Sequence, residues 1–328
     1  ITSSTNTYPY RAMLEALLSF DEGAKKTQLS AAMYHKDAAG HMDAVTVQGA
    51  NQNAGFMTRR RLTARSRMMD MIGRPHADIA FQDRFLINNV PVKIKLTRSK
   101  NDFCVMGANN RVIRIESAKL QVRKVKLPDS VMLAHAKALE VGTAKYPIKR
   151  IVCKSFTITA GVRDVVQEKL FSGQLPSRLV IGLVLNEAFN GSQARNPFNF
   201  QHFNLNELAI YLDGQQGQPV RPIKPDYANN LYTEAYLTAY AGTGKLNRDE
   251  SNGIGLSEFP DGYCVYVFDL SPDQCEGDHF NLLREGNVRL CMKFSAALPD
   301  AVTAIVYGEF ENIIELDRSM NVLFDFAS

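Results

Sequence analysis

Hydrophobic and polar positions alternate most regularly near the end of the chain. Residues 262–270, 288–294, 303–310 and 321–326 are four short runs rich in β-branched and aromatic residues, separated by Pro, Gly, Asp and Asn. This punctuation predicts successive antiparallel strands. In the second run Val288, Leu290, Met292 and Phe294 share one face and Arg289, Cys291 and Lys293 the other, the period of two expected where a sheet covers a core on one side. The first run is apolar on both faces: Cys264, Tyr266, Phe268 and Leu270 alternate with Tyr263, Val265 and Val267. Such a strand belongs inside a sandwich.

Taken from its start, the chain opens with a turn-rich lead at 2–9 and a helix over 10–18, with Pro9 in the first turn and Met13, Leu14, Leu17 and Leu18 as the apolar stripe. Residues 21–53 hold no sustained period and read as a surface excursion. Strand patterns return at 78–82 and 85–87, with Asn88 and Asn89 as a turn. At 92–96, Val92, Ile94 and Leu96 alternate with Lys93 and Lys95, and 112–115 and 120–125 continue the theme. Asp129 and Ser130 are placed to cap a helix running through Met132, Leu133, Ala136 and Leu139 to a stop at Gly142. Beyond that helix, strands are expected at 147–158, 178–185 and 208–214, and a helix at 231–241.

The order of helix, long loop and strands thus occurs twice. Ala12, Leu14 and Ala16 match Ala235, Leu237 and Ala239 in spacing, and 92–96 resembles 288–292. About eight short strands per unit, with a helix inserted in a connection, describe a jelly roll. The expected fold is therefore all-β: a double jelly roll of two eight-stranded antiparallel sandwiches with short inserted helices, the first lacking its opening strands. Residues 1–128 would form that incomplete first jelly roll, 129–146 a linker helix and 147–328 the second jelly roll. The chain opens with Ile, and further sequence is expected upstream.

The chain has 328 residues, 45% hydrophobic and 22% charged, which suffices for a substantial core. Its net charge of +4 hides an asymmetry: residues 56–126 carry 17 Lys or Arg against 5 Asp or Glu, and residues 226–328 carry 6 against 17. A basic half suits nucleic acid, anionic lipid, or the acidic half of a neighbouring copy. The five cysteines (Cys104, Cys153, Cys264, Cys275, Cys291) include no CxxC pair and mostly lie in apolar runs, which points to buried thiols in a reducing compartment. Neither an apolar run long enough to span a membrane nor a signal-peptide pattern is present.

Candidate chemistry is sparse. Gly242, Gly244 and Lys245 resemble part of a phosphate loop, but Leu246 stands where Ser or Thr is needed, and the segment follows a helix rather than a strand. His35 and His41 with Asp37 and Asp43 suggest a metal cluster, yet the His-x-His pair of a cupin is missing, which favours solvated loop residues. His76, His135, His202 and His279 are scattered and pair with no nucleophile in sequence. Asn190-Gly191-Ser192 matches a glycosylation sequon and equally a tight turn. Phe198, Phe200, Phe203 and Tyr211 suit base stacking or, more commonly, core packing. Arg59, Arg60, Arg61, Arg65 and Arg67 suit phosphate or lipid contact, or an intersubunit arm. No residue is assigned a catalytic, cofactor-binding or metal-binding role, and no cofactor is expected.

Segments 129–137, 144–148, 171–176, 188–191, 196–200, 211–215 and 310–315 resemble the hexon-type protein of adintoviruses and Maverick (Polinton) elements. More remotely, 262–272, Phe280 to Leu282 and 302–316 are similar to the end of the second jelly roll in major capsid proteins of nucleocytoplasmic large DNA viruses. This resemblance, which covers nearly the whole chain, implies a double jelly-roll major capsid protein. Such a protein forms a pseudo-hexagonal homotrimer, tiles an icosahedral shell, and is made and assembled inside the host cell. The implied partners are copies of itself, penton and minor capsid proteins, with possible contact to packaged DNA or an inner membrane through 56–126. The implied upstream sequence supplies the opening strands of the first jelly roll. The alternative class is a trimeric jelly-roll lectin or attachment protein that binds glycans; an enzyme ranks third.

Overall fold

The computed structural model describes residues 6–46, 49–107, 111–213, 215–216, 221–272 and 281–326. Residues 2–5 of the lead, Gly214, Cys275, His279 and Phe280 lie outside them. The strands are β1 (Ala144–Ile158), β2 (Asp164–Gln174), β3 (Arg178–Leu185), β4 (Phe200–Gln201), β5 (Leu205–Leu212), β6 (Gln215–Gln216), β7 (Asp261–Gly262), β8 (Val265–Asp269), β9 (Glu285–Phe294), β10 (Val302–Leu316) and β11 (Val322–Phe324). The helices are α1 (Tyr8–Ser19), α2 (Glu22–Lys26), α3 (Ala54–Leu62), α4 (Asn101–Cys104), α5 (Asp129–Val141), α6 (Asn186–Asn190) and α7 (Thr233–Ala241).

One sheet runs β1-β10-β3-β8, with β11 on the far end of β10, and the facing sheet runs β2-β9-β5-β6. Every pair within these sheets is antiparallel. Leaving aside β11 and the small β4-β7 pair, the eight strands of the sandwich in chain order alternate as first-eighth-third-sixth and second-seventh-fourth-fifth. This is jelly-roll wiring, in which each return strand is laid beside an early one. The all-β jelly-roll class expected from the pattern is therefore the class adopted, in the second part of the chain. Of the last four runs, the final two do pair, β11 with β10, but β9 lies in the opposite sheet from β8 and β10.

The two central strands explain the arrangement. β10 pairs with β1 along its whole length, from Ala144 opposite Leu316 to Ile158 opposite Val302, and with β3 on its other side. Leu179, Val180, Ile181, Leu183 and Val184 of β3 are fully buried, as are Val265 and Tyr266 of the doubly apolar run. Gly182 lies among them because a Cβ there would stand 2.6 Å from the Phe200 ring. In the facing sheet Val288, Leu290, Met292 and Phe294 all point into the core, as the period of two requires.

Residues before β1 dock on this sandwich through α1. Tyr10 sits among Phe189, Phe198, Phe103 and Phe200, with ring centroids 5.5–6.4 Å away. Leu14, Leu17 and Leu18 are buried as the stripe predicts, while Met13 is half-buried. Phe200 thus belongs to the core, and Phe198 and Phe203 pack against it.

The strands expected at 78–82, 85–87, 92–96, 112–115 and 120–125 are not formed. Residues Asp78–Phe81 make a single 3-10 turn, and among the described residues no strand precedes Ala144. An alternating pattern specifies a face, but a strand also needs a neighbour for its N–H and C=O groups, and lone strands or hairpins are marginal in water. The matched repeat likewise parts company: Leu14 is buried in α1, whereas its counterpart Leu237 in α7 is partly exposed. Helix α5 ends at Gly142 as expected, but its N-cap is Pro128 rather than Asp129.

Candidate functional site

The strand-patterned segments that remain unpaired create the most unusual surface of the molecule. Val92, Ile94, Leu96, Val112, Ile115, Leu120, Val122 and Val125 are all exposed, Leu96 by 75% and Val112 by 69%. Helix α5 adds Val131, Met132 and Leu133 and buries none of its residues. Between these apolar positions stand exposed Lys93, Lys95, Arg114, Lys119, Arg123 and Lys124. Arg98 donates to the carbonyl of Ile113 at 2.6 Å, which holds two of the segments side by side. Apolar side chains in such number are ordinarily covered by a partner. The interleaved cations specify that the cover be acidic or neutral.

The 76–78 segment that precedes this surface in the chain is anchored to α1 and β1 by a buried ionic cluster. Arg11 of α1 donates through Nε to Glu15 at 2.8 Å and through Nη2 to Asp78 Oδ1 at 2.7 Å. His76 contacts the Glu15 carboxylate, and the Ile151 N–H of β1 donates to Asp78 at 3.3 Å. Burial pushes the Asp78 carboxyl up, and Arg11 beside it only partly offsets the shift. Nothing in the periodicity marks these residues, because Arg11 and Asp78 stand far apart in the chain and Asp78 reads as the start of a strand.

The small chemical motifs resolve into structural roles. Asp37 pairs with Arg59 at 2.5 Å and accepts from Asn196 Nδ2 at 2.9 Å. Asp43 accepts from the Asn196 N–H at 2.7 Å. Both carboxylates therefore tie the 35–43 segment to the 195–199 loop. Among the described residues no group of three or more His, Cys, Asp or Glu is disposed to hold a metal ion. Gly242 closes α7 by donating to Thr238 O at 2.8 Å, and Lys245 is nearly buried. The sequon asparagine ends α6, with Gly191 at φ 101°. His202 stacks on Tyr227 at 4.0 Å and burial lowers its pKa. Arg59 is taken up internally, whereas Arg61, Arg65 and Arg67 are exposed.

The described residues include no helix long and apolar enough to cross a membrane. Of the cysteines, Cys104, Cys153, Cys264 and Cys291 are free thiols, with Cys264 buried beside Tyr227 and Tyr266.

No family model matches the chain. It is 29% identical to uncharacterized protein F54H12.2 of Caenorhabditis elegans over 330 residues, 98% of this chain and 76% of the relative. Among solved structures it is similar to the PBCV-1 virus capsid, at 14% identity and a TM-score of 0.36, over 57% of this chain and 52% of that one. It is similar to PBCV-1 VP54 fitted into a reconstruction of the virophage Sputnik, at 12% identity and a TM-score of 0.37, over 62% and 55% of the two chains. The mavirus major capsid protein gives 13% identity and a TM-score of 0.31, over 57% and 43%. The match thus spans about half the length of these solved chains. At such scores the fold assignment rests on strand order and register.

Proposed function

We propose that this chain is a structural, non-enzymatic protein: the major capsid protein of a double-stranded DNA virus or virus-like transposable element of the Maverick or adintovirus kind. The carrying observation is one chain that joins a closed jelly-roll sandwich to strand-patterned, uncovered segments at 92–125. In this reading residues 1–128 belong to the first jelly roll, and 129–146 link it to the second, the sandwich of 147–328. Two such walls per chain give a homotrimer six similar walls, which lets a three-fold object occupy six-neighbour positions in an icosahedral shell.

The motif resemblance along the chain supports this reading, and so does the charge asymmetry. The basic 56–126 region faces the acidic part of a neighbouring copy, where exposed Asp249, Glu250, Glu285 and Asp300 are available. Packaged DNA or an inner membrane is the secondary contact for any cations left uncovered. Penton and minor capsid proteins complete the set of partners in a virion, assembled inside the host cell.

The test is assembly of the purified protein as salt is lowered, followed by negative-stain imaging and a parallel glycan-binding screen. Particles of hexagonal outline that associate edge to edge, and that dissociate at high salt, are expected. Saturable glycan binding without lateral association would overturn the proposal in favour of an attachment protein.

A further inference from the structure

Between α3 and the 76–78 segment the chain forms a loop fastened at both ends. At its start Asn53 caps α3, accepting from the Phe56 N–H at 3.2 Å, and Arg59 donates to the carbonyl of His35 at 2.6 Å and pairs with Asp37. At its end the Ile72 N–H donates to the Ala31 carbonyl at 3.0 Å, a few residues before the Arg11–Asp78 pair. Every residue from Arg61 to Ile72 is exposed except Met69, which is half-buried. Helix α3 stops at Leu62, and Arg65 and Ser66 then take left-handed φ values of 59° and 54°, which break the helical path.

Two kinds of side chain crowd this loop. The guanidiniums of Arg61, Arg65 and Arg67 are exposed and have no hydrogen-bond or ion-pair partner among the described residues. Asp70 is the one carboxylate of 61–72, so three arginines against one aspartate leave a charge of +2. Beside them Met68 is 79% exposed, and Met71 and Ile72 are each 64% exposed. Large apolar side chains held in water forgo the burial that would stabilise them, and in a cluster they mark a surface that something covers.

The combination selects the partner. A nucleic-acid backbone would engage the guanidiniums but offers no apolar phase for methionine and isoleucine. A protein face would be met better by the strand-patterned 92–125 surface, because residues 67–72 form neither helix nor strand and present no regular face. An anionic bilayer supplies phosphates at the headgroup level and hydrocarbon just below them, and unbranched methionine adapts to such a fluid phase. We propose that the 61–72 loop docks the chain on an anionic lipid bilayer. Met68, Met71 and Ile72 enter the boundary between headgroups and hydrocarbon, and Arg61, Arg65 and Arg67 hold lipid phosphates. This assignment rests on the loop's own residues and not on the shell reading.

The experiment is co-sedimentation of the 328-residue chain with phosphatidylserine–phosphatidylcholine vesicles and with phosphatidylcholine vesicles. Binding to the anionic vesicles alone, weakened as salt is raised, is expected. Arg61→Gln, Arg65→Gln and Arg67→Gln together should weaken it by about a hundredfold, about fivefold per cation. Met68→Ser, Met71→Ser and Ile72→Ser together should weaken it by at least about tenfold. Both variants should melt with the native chain, because the replaced side chains are exposed. The chain has no Trp, so Met71→Trp supplies a single reporter, whose emission should shift to the blue on anionic vesicles and not on duplex DNA. No binding to anionic vesicles, full binding by the serine variant, or an unshifted reporter in the bound chain would overturn the proposal. So would tighter binding to duplex DNA than to the vesicles at the same salt. A chain that self-associates yet ignores the vesicles would count against the loop alone and leave the shell reading standing.

Discussion

Gly262 lies where an N-terminal segment packs closely on the sandwich. It adopts φ 120°, and a Cβ added there would lie 2.1 Å from Sδ of the buried Met42. Gly262→Ala should therefore lower stability by at least about 1 kcal/mol, read as a lower urea midpoint; an unchanged midpoint would contradict the packing described. Glu309 is a second sensitive residue. Burial disfavours its charge, but Arg178 and Lys149, each at 3.2 Å, outweigh burial and hold its carboxyl below the ordinary carboxylate range. A depressed carboxylate contributes stability that is present above its unfolded pKa, about 4.3, and lost as pH falls through the folded value. Glu309→Gln should thus lower Tm at neutral pH, and its deficit should shrink as pH drops below about 4. Lys25 acts in the opposite window. Burial, with Lys245 and Lys36, brings it down to about 7, so between pH 7 and about 10.4 the unfolded chain binds the proton that the folded chain lacks. Stability due to Lys25 should rise with pH across that interval. Melts of the native chain and Lys25→Met in phosphate-free buffer from pH 7 to 9 should diverge in favour of the native chain, and parallel curves would refute the assignment.

At the scale of elements, the same pattern meets two fates. Val288, Leu290 and Met292 lie on β9, which has β2 on one side and β5 on the other. Val92, Ile94 and Leu96 repeat the alternation but gain no strand neighbour and stay exposed. Replacing the first trio by Ser removes about 1.5–3 kcal/mol of burial per residue and should unfold the sandwich. Replacing the second trio should leave the melt unchanged and abolish association, as circular dichroism and light scattering would register. Association that survived would remove the 92–125 surface from the interface. This contrast also defines what was legible in the sequence. Strands β3, β9 and β10 were readable because both their faces and their turns are written locally. Strand β2 was not, because Gln167, Glu168 and Lys169 interrupt its pattern where the register breaks between Gln167 and Phe171. Nor does periodicity show that β9 crosses to the other sheet, or that 92–125 lacks a neighbour, since pairing is a property of distant chain. Of the candidate surface, the charge was visible by counting.

At the scale of the whole molecule, the sandwich closes on itself while the basic, apolar surface beside it remains open. A positively charged region and an acidic one in the same chain make self-association the economical way to cover that surface. Cyclic closure with three copies satisfies each interface once, without leaving an open end. The direct measurement is the mass in solution of the 328-residue chain, by light scattering coupled to size exclusion. Three chains of 36.6 kDa give about 110 kDa. A particle of that mass with a hexagonal outline is the result the capsid account predicts. A monomer would contradict it.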